Sequence, residues 1–185
     1  MIVKDKGVEQ LIWQWLEQVV IGLNLCPFAN KPHRNKQIAV WVSDAHKATN
    51  LLSDLAKAFT HLDETEAHQL DTILFVTPKM LADFYDFNDA LDWADALIEE
   101  QGWYGVYQIA SFHPDYQFAD TEPEDAENLT NRAPFPVFHL IREESMNRAL
   151  DSYPDHALIP ERNIARVTAL SDTERRQLFS YLFKD

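Results

Sequence analysis

Hydrophobic residues recur along this chain with two different periods. Over 7–23, Val8, Leu11, Ile12, Trp15, Val19 and Leu23 fall at helical spacing and form one apolar stripe. Residues 37–42 read as a strand that is apolar on both faces. Ser43 or Asp44 then offers an N-cap for a helix carried by Ala48, Leu51, Leu52, Leu55, Phe59 and Leu62. Thr72–Val76 is a second strand apolar on both faces. Thr77-Pro78 has the form of an N-cap followed by proline at the first helical position. The helix expected from there is carried by Leu81, Phe84, Leu91, Ala94, Leu97 and Ile98 and stops before Gly102. Residues 104–111 and 137–141 read as the third and fourth strands, and 142–150 and 160–170 as helices. A last helix opens with a capping box, Ser171 with Glu174, and is expected to bury Leu178 and Leu182.

Strands that are almost wholly apolar, alternating with helices, favour parallel pairing under helical cover, with right-handed crossovers. The expectation is one α/β domain over 1–185, with a small four-stranded mixed, mostly parallel sheet flanked by helices. No repeat, low-complexity tract or linker divides it. One connection is out of proportion: 112–136 holds no credible helix or strand, and loops of that length are usually functional or mobile. Its middle is acidic (Asp120, Glu122, Glu124, Asp125, Glu127). Its ends, Phe112-His113-Pro114-Asp115-Tyr116 and Asn131-Arg132-Ala133-Pro134-Phe135, interleave polar groups with aromatics and prolines. Both ends adjoin strands and are expected to meet at one edge of the sheet, near the Cys26 turn.

Charge changes the picture of partners. Thirty acids against sixteen Lys and Arg give −14, and the chain stays negative with all seven histidines protonated. That excludes wholesale neutralisation of a nucleic-acid backbone and opposes docking on anionic lipid, so neither is expected as a partner. With 46% hydrophobic residues, four glycines and one cysteine, disorder, a collagen helix and a disulfide scaffold are excluded. Lys4, Asp5 and Lys6 precede an amphipathic helix pattern rather than a signal-peptide core, and the longest apolar run, over 19–23, is far too short to span a bilayer. The Asn128-Leu129-Thr130 sequon is then a chance match, and the cytoplasm is the expected compartment.

Cys26 has no second cysteine for a redox pair. At the N-cap of a turn beginning with Pro27 its thiolate would be favoured; at the end of the first helix it would be opposed; a small buried hydrophobe is the third reading. His113, at a strand end before Pro114, is the candidate general acid/base, with a loop anchor bonded to backbone carbonyls as the alternative. His139 shares a strand face with Val137 and Ile141 and reads as a satisfied core histidine. Arg132, Arg142 and Arg162 stand at element boundaries. Two converging arginines would make a pocket for a carboxylate or phosphate, Arg132 with Arg142 being the favoured pair; the alternative is that each pairs with a nearby acid. No zinc or calcium spacing, glycine-rich phosphate loop or Gly-x-Ser-x-Gly elbow is present, so no metal is indicated and the cofactor is left open.

Four strings resemble one family: Gly22-Leu23-Asn24-Leu25-Cys26-Pro27-Phe28-Ala29, Ala110-Ser111-Phe112-His113-Pro114-Asp115-Tyr116-Gln117-Phe118, Thr130-Asn131-Arg132-Ala133-Pro134 and His139-Leu140-Ile141-Arg142-Glu143. They are similar to the bacterial family catalogued as domain of unknown function 1415, and the resemblance runs on to Glu161-Arg162-Asn163. It implies a small cytosolic protein and brings no reaction, cofactor or catalytic residue. It also implies hydroxyl residues where Ala133 and Phe135 stand here.

The function expected from these residues is a small-molecule enzyme of the hydrolase or transferase type, acting on an anionic substrate. Arg132 and Arg142 would hold the anion, Asn131 orient it and His113 move a proton, with Cys26 as nucleophile or wall. The alternative is a non-catalytic ligand-binding or protein-interaction module, in the latter case exposing Phe112, Tyr116, Phe118 and Phe135. A thiol sensor at Cys26 is a third. Nothing in the sequence indicates an oligomeric state.

Overall fold

The structure, a computed structural model, describes residues 5–183, so Lys4 lies outside the described residues. Helix α1 (Lys6–Trp15) is capped by Asp5, whose carboxylate accepts the N–H groups of Gly7 and Val8, and it buries Val8, Ile12 and Trp15. The stripe then continues through a π-helical turn, Leu16–Ile21, which buries Leu16, Val19 and Val20. Gly22 closes the wide turn by donating to the Glu17 carbonyl at 3.0 Å. A Cβ on Gly22 would run into the Gln18 carbonyl, so the turn needs a residue without one. Asn24, in the left-handed region at φ 56°, ends the helix. Its N–H reaches the Ile21 carbonyl and that of Leu25 the Val20 carbonyl, both at 2.9 Å, which is the hydrogen-bond pattern of a Schellman stop.

After the short helix α2 (Asn30–Arg34) come β1 (Ile38–Val42), α3 (Ala48–Glu64), β2 (Thr72–Val76), α4 (Phe84–Glu100), β3 (Tyr107–Phe112) and β4 (Val137–Arg142). The chain then adds α5 (Glu143–Asp151), α6 (Ile159–Thr168) and α7 (Asp172–Leu178). The sheet order is β1-β2-β4-β3. β1 and β2 pair in parallel, whereas β4 is antiparallel to both β2 and β3. Three strands therefore run one way and β4, threaded between two of them, runs the other. The expected α/β domain with a four-stranded mixed sheet is present, mostly parallel in strand direction although only β1–β2 is a parallel pair.

Alternation along the strands divides the core. One face packs Ile73, Phe75, Phe138 and Leu140 against Leu51, Leu55 and Phe59 of α3 and Phe87, Ala90 and Ala94 of α4. The other packs Leu74, Val76 and Val137 against Ile12, Leu16 and Val19, with Val167, Leu170 and Phe179 closing over them. Helical cover of this second face is incomplete, and a cleft opens over Thr72, His139 and Ile141.

Several expected boundaries move, each for a local reason. Ser43 and Asp44 do not cap α3, which starts at Ala48; the Ser43 hydroxyl donates to Asp54 at 2.9 Å and accepts the N–H of Ala45. Thr77-Pro78 does not start α4, because Leu81 turns left-handed at φ 61° and Asp83 caps Tyr85 and Asp86 instead. The third strand starts at Tyr107, after a turn in which Gly105 has φ 75°. The Ser171–Glu174 capping box forms as expected. Segment 112–136 is not without structure: it holds a 3-10 turn, Ala126–Asn131, that packs on α6. No described helix is long and apolar enough to cross a membrane.

Candidate functional site

The polar residues of the 112–136 segment are bonded to one another and to the core. His113 is 0% exposed, between the rings of Phe84 and Phe87 at 5.4 and 5.2 Å. Its Nε2 donates to the Leu81 carbonyl at 2.9 Å and its Nδ1 accepts the Asp115 N–H at 3.0 Å. Burial pushes its pKa below the usual 6.5 against the opposing pull of the Leu81 carbonyl and of Asp115 and Asp83. With both nitrogens engaged and the ring buried, the placement of His113 fits the loop-anchor alternative. Asn131 donates to the Ser111 carbonyl at 3.2 Å. Arg132 donates to the Tyr116 carbonyl at 3.2 Å and the Pro123 carbonyl at 2.6 Å, while its own carbonyl accepts from the Trp15 indole and the Tyr181 hydroxyl. Asn128, the asparagine of the Asn-Leu-Thr sequon, is fully buried and joins Phe118, Thr121 and Glu122 across the loop.

Arg142 does not converge with Arg132. Its guanidinium donates to the carbonyls of Leu62 in the last turn of α3, of its C-cap Thr65 and of Leu70 in the loop that follows, and to the Tyr107 hydroxyl at 3.2 Å. Leu62 and Thr65 lie at the C-terminus of α3, where a cation is favourable. Arg142 is therefore a staple between β4 and α3, and α5 begins at the next residue. The four loop aromatics form no exposed patch. Phe112 meets Trp15 edge-on at 5.1 Å, Tyr116 lies between Phe84 and Phe118, and all four are half-buried.

The open space lies elsewhere. A cleft of about 570 Å³ is walled by the π-helical turn (Leu16, Val20), by the turn Cys26–Ala29 and by one flank of α5. Its floor is the sheet face at Thr72, Leu74, His139 and Ile141, of which only His139 is half-buried and the others are buried. Trp15 and Phe112, the first residue of the 112–136 segment, both line the cleft. Of the predicted site residues, Cys26 and Arg142 line the cleft, and His113, Asn131 and Arg132 do not.

Cys26 stands at the head of a turn, its carbonyl accepting the Ala29 N–H at 3.2 Å, so the N-cap reading describes its position. The backbone N–H groups of Phe28 and Ala29 favour the thiolate, but burial outweighs them and pushes the pKa up. At neutral pH Cys26 is a thiol. His139, read as a core histidine, is half-buried on the floor of the cleft, its ring 6.3 Å from Phe112. Thr72 donates its hydroxyl to the Leu140 carbonyl, so it accepts from His139 Nε2 at 2.7 Å. That bond assigns the proton to Nε2 and leaves Nδ1 an acceptor without a hydrogen-bond partner among the described residues. Burial pushes the His139 pKa down to about 4, so the ring is neutral at neutral pH. On the rim, Ser145 donates to Asp71 at 2.5 Å and receives Arg148 at 3.1 Å. No cluster of three metal-ligating side chains occurs among the described residues.

The cleft thus offers a weak donor in the Cys26 thiol, an imidazole acceptor, an Asp71–Ser145–Arg148 rim and largely apolar walls. Its size and lining match those of small-molecule sites. The sequence signalled Cys26, but it gave no sign of the missing cover over His139 or of the rim. The π-helical turn, a feature common beside functional sites, leaves an apolar stripe that looks like any other helix.

The pattern that defines the family described as "Protein of unknown function (DUF1415)" matches residues 7–177 of this chain. No curated protein and no solved structure matches it.

Proposed function

We propose, for a chain that belongs to the DUF1415 family, that it binds a small molecule in the cleft over His139. The observation that carries this is the cleft itself. It is large enough for a drug-sized ligand, is walled by apolar groups from four segments, and is furnished with polar atoms not already used by the fold. His139 Nδ1 would accept a hydrogen bond from the ligand, Cys26 and the π-helical turn would pack on its body, and Arg148 would meet its polar end.

Chemistry on that ligand, of the hydrolase or transferase type, is the second reading, favoured by a thiol and an imidazole lining one space. In it His139 accepts a proton and Cys26 is the attacking group or the donor. We put binding ahead of catalysis because Cys26 rests as a thiol rather than the attacking thiolate, and His139, although neutral and able to accept a proton, is a weak base at its lowered pKa. The raised Cys26 pKa also speaks against a thiol sensor, which needs a depressed thiol pKa.

A thermal-shift and NMR screen of small metabolites tests the reading. Hits are expected to perturb the amides of Cys26, Phe28 and His139, and His139→Ala is expected to weaken them about tenfold, as loss of one good hydrogen bond does. Hits that perturb only the 112–136 segment, or bind His139→Ala unchanged, overturn it. Turnover lost in both Cys26→Ala and His139→Ala, with binding kept in Cys26→Ala, would select catalysis.

A further inference from the structure

A second cavity, of about 340 Å³, lies where the turn after the first helix meets α6. Pro27 and Tyr153 line both this cavity and the cleft, so the two adjoin. Asn163 holds α6 to the turn by donating to the Leu25 carbonyl at 2.7 Å. Arg162 and Arg166, one helical turn apart on α6, both line the cavity, and among the described residues no carboxylate does. Arg162 is loosely held, by the Tyr153 hydroxyl at 3.2 Å and the Asp155 carboxylate at 3.4 Å. Arg166 has no hydrogen-bond or ion-pair partner among the described residues. Glu174, the acid whose charge it feels, is occupied in the capping box, with one oxygen accepting both the N–H and the hydroxyl of Ser171.

In a chain of net charge −14, a concavity lined by two guanidinium groups and, among the described residues, by no carboxylate runs against the overall sign, with Asp155 offsetting part of the Arg162 charge from outside the lining. Guanidinium forks match the oxygens of a phosphate or carboxylate, and one without a partner keeps its donors for a ligand. Tyr153 joins the two spaces, its ring edge-on to Phe28 at 5.7 Å and its hydroxyl toward Arg162.

We propose that this cavity is the anion subsite of the cleft: Arg162 and Arg166 hold a phosphate or carboxylate belonging to the ligand, whose body lies past Tyr153 against Cys26 and His139. This rests on the cleft being a ligand site. It moves the arginine pair from Arg132 and Arg142 to one loosely held arginine, Arg162, and to Arg166, which has no partner among the described residues.

The test is an NMR titration of the full chain with inorganic phosphate, acetate, phenyl phosphate and, as a neutral probe, benzyl alcohol. Phosphate or acetate should shift the Arg162 and Arg166 Nε–H signals and the amides of Gly22, Leu23 and Asn24, and whichever does so identifies the anion class. Phenyl phosphate should also shift Cys26 and His139 and bind at least tenfold more tightly than inorganic phosphate. In the double variant Arg162→Gln, Arg166→Gln its affinity should fall at least tenfold, while benzyl alcohol still perturbs the cleft. Unchanged phenyl phosphate binding in that variant, or arginine signals that ignore both anions, overturns the subsite and leaves the cleft reading standing. Arginines that respond to anions while both aromatic probes leave the cleft amides unmoved overturn the cleft reading, and with it the joining of the two spaces.

Discussion

Two regions of this protein are rich in the side chains from which active sites are made, and they differ in what those side chains are bonded to. In the 112–136 segment the histidine, the asparagines and the arginine hydrogen-bond mainly to carbonyls and amides of the segment and its neighbours. In the cleft, His139 keeps an acceptor without a partner among the described residues, and Arg166 next door keeps a guanidinium without one. Buried polar groups must be satisfied, so a long loop that packs tightly will consume its own polar side chains. Residues that could serve a ligand are therefore found where the packing is incomplete.

The sharpest way to break this comparison is to remove Arg142, which lines the cleft but spends its guanidinium on the fold. Arg142→Ala strips the carbonyls of Leu62, Thr65 and Leu70 of their guanidinium donor and is expected to cost about 3 kcal/mol in urea unfolding, Arg142→Lys recovering part of it. A loss below about 1 kcal/mol would mean that α3 ends without it. Next, His113→Ala and His139→Ala should separate the regions. The first is expected to lower stability by about 2–3 kcal/mol and leave ligand affinity in the folded protein unchanged; the second should lower affinity. The reverse outcome would return the site to the loop.

Acid should act on both regions with one sign. His113 and His139 are neutral in the fold, with pKa values held below the usual 6.5, so the unfolded chain binds more protons between the two values. Their contribution is present above about pH 6.5 and declines as pH falls below it. The His139 part is gone below about pH 4, where folded and unfolded rings are both protonated. Unfolding midpoints measured from pH 7 to 4.5 should fall less in His139→Asn than in the parent; equal falls would mean that the cleft keeps the ring well hydrated. The smallest effect is on Cys26. Its raised pKa predicts native-state alkylation by iodoacetamide at pH 7.5 at least tenfold slower than in the urea-unfolded chain.

Much of the fold was legible because it is written in local pattern. Thr72–Val76 and the Ser171–Glu174 box need only their own residues, and both stand as read. The misplaced helix starts need something more distant: Ser43 is taken by Asp54, and the true cap of α4, Asp83, sits beyond a left-handed Leu81. The site was legible only as a set of unusual strings. Whether His113 is free depends on the Leu81 carbonyl, and whether Arg132 is free depends on the Tyr116 and Pro123 carbonyls. Neither partner choice shows in spacing. Arg166 could have been noticed as the residue one turn after Arg162 on the same helix, but Tyr153, which joins the two cavities, carries no signal in sequence.

The position of β4 bears on how the chain assembles during synthesis. The sheet's only contact between β2 and β3 is through β4, and the Thr72 hydroxyl that orients His139 reaches a carbonyl 68 residues later. A nascent chain halted before Val137 has a β1–β2 pair and a stranded β3 with no shared neighbour, so no partial sheet can close over both. Folding must await the last strand, and until it emerges from the ribosome the apolar edges of β2 and β3 stand open to chaperones and to other nascent chains.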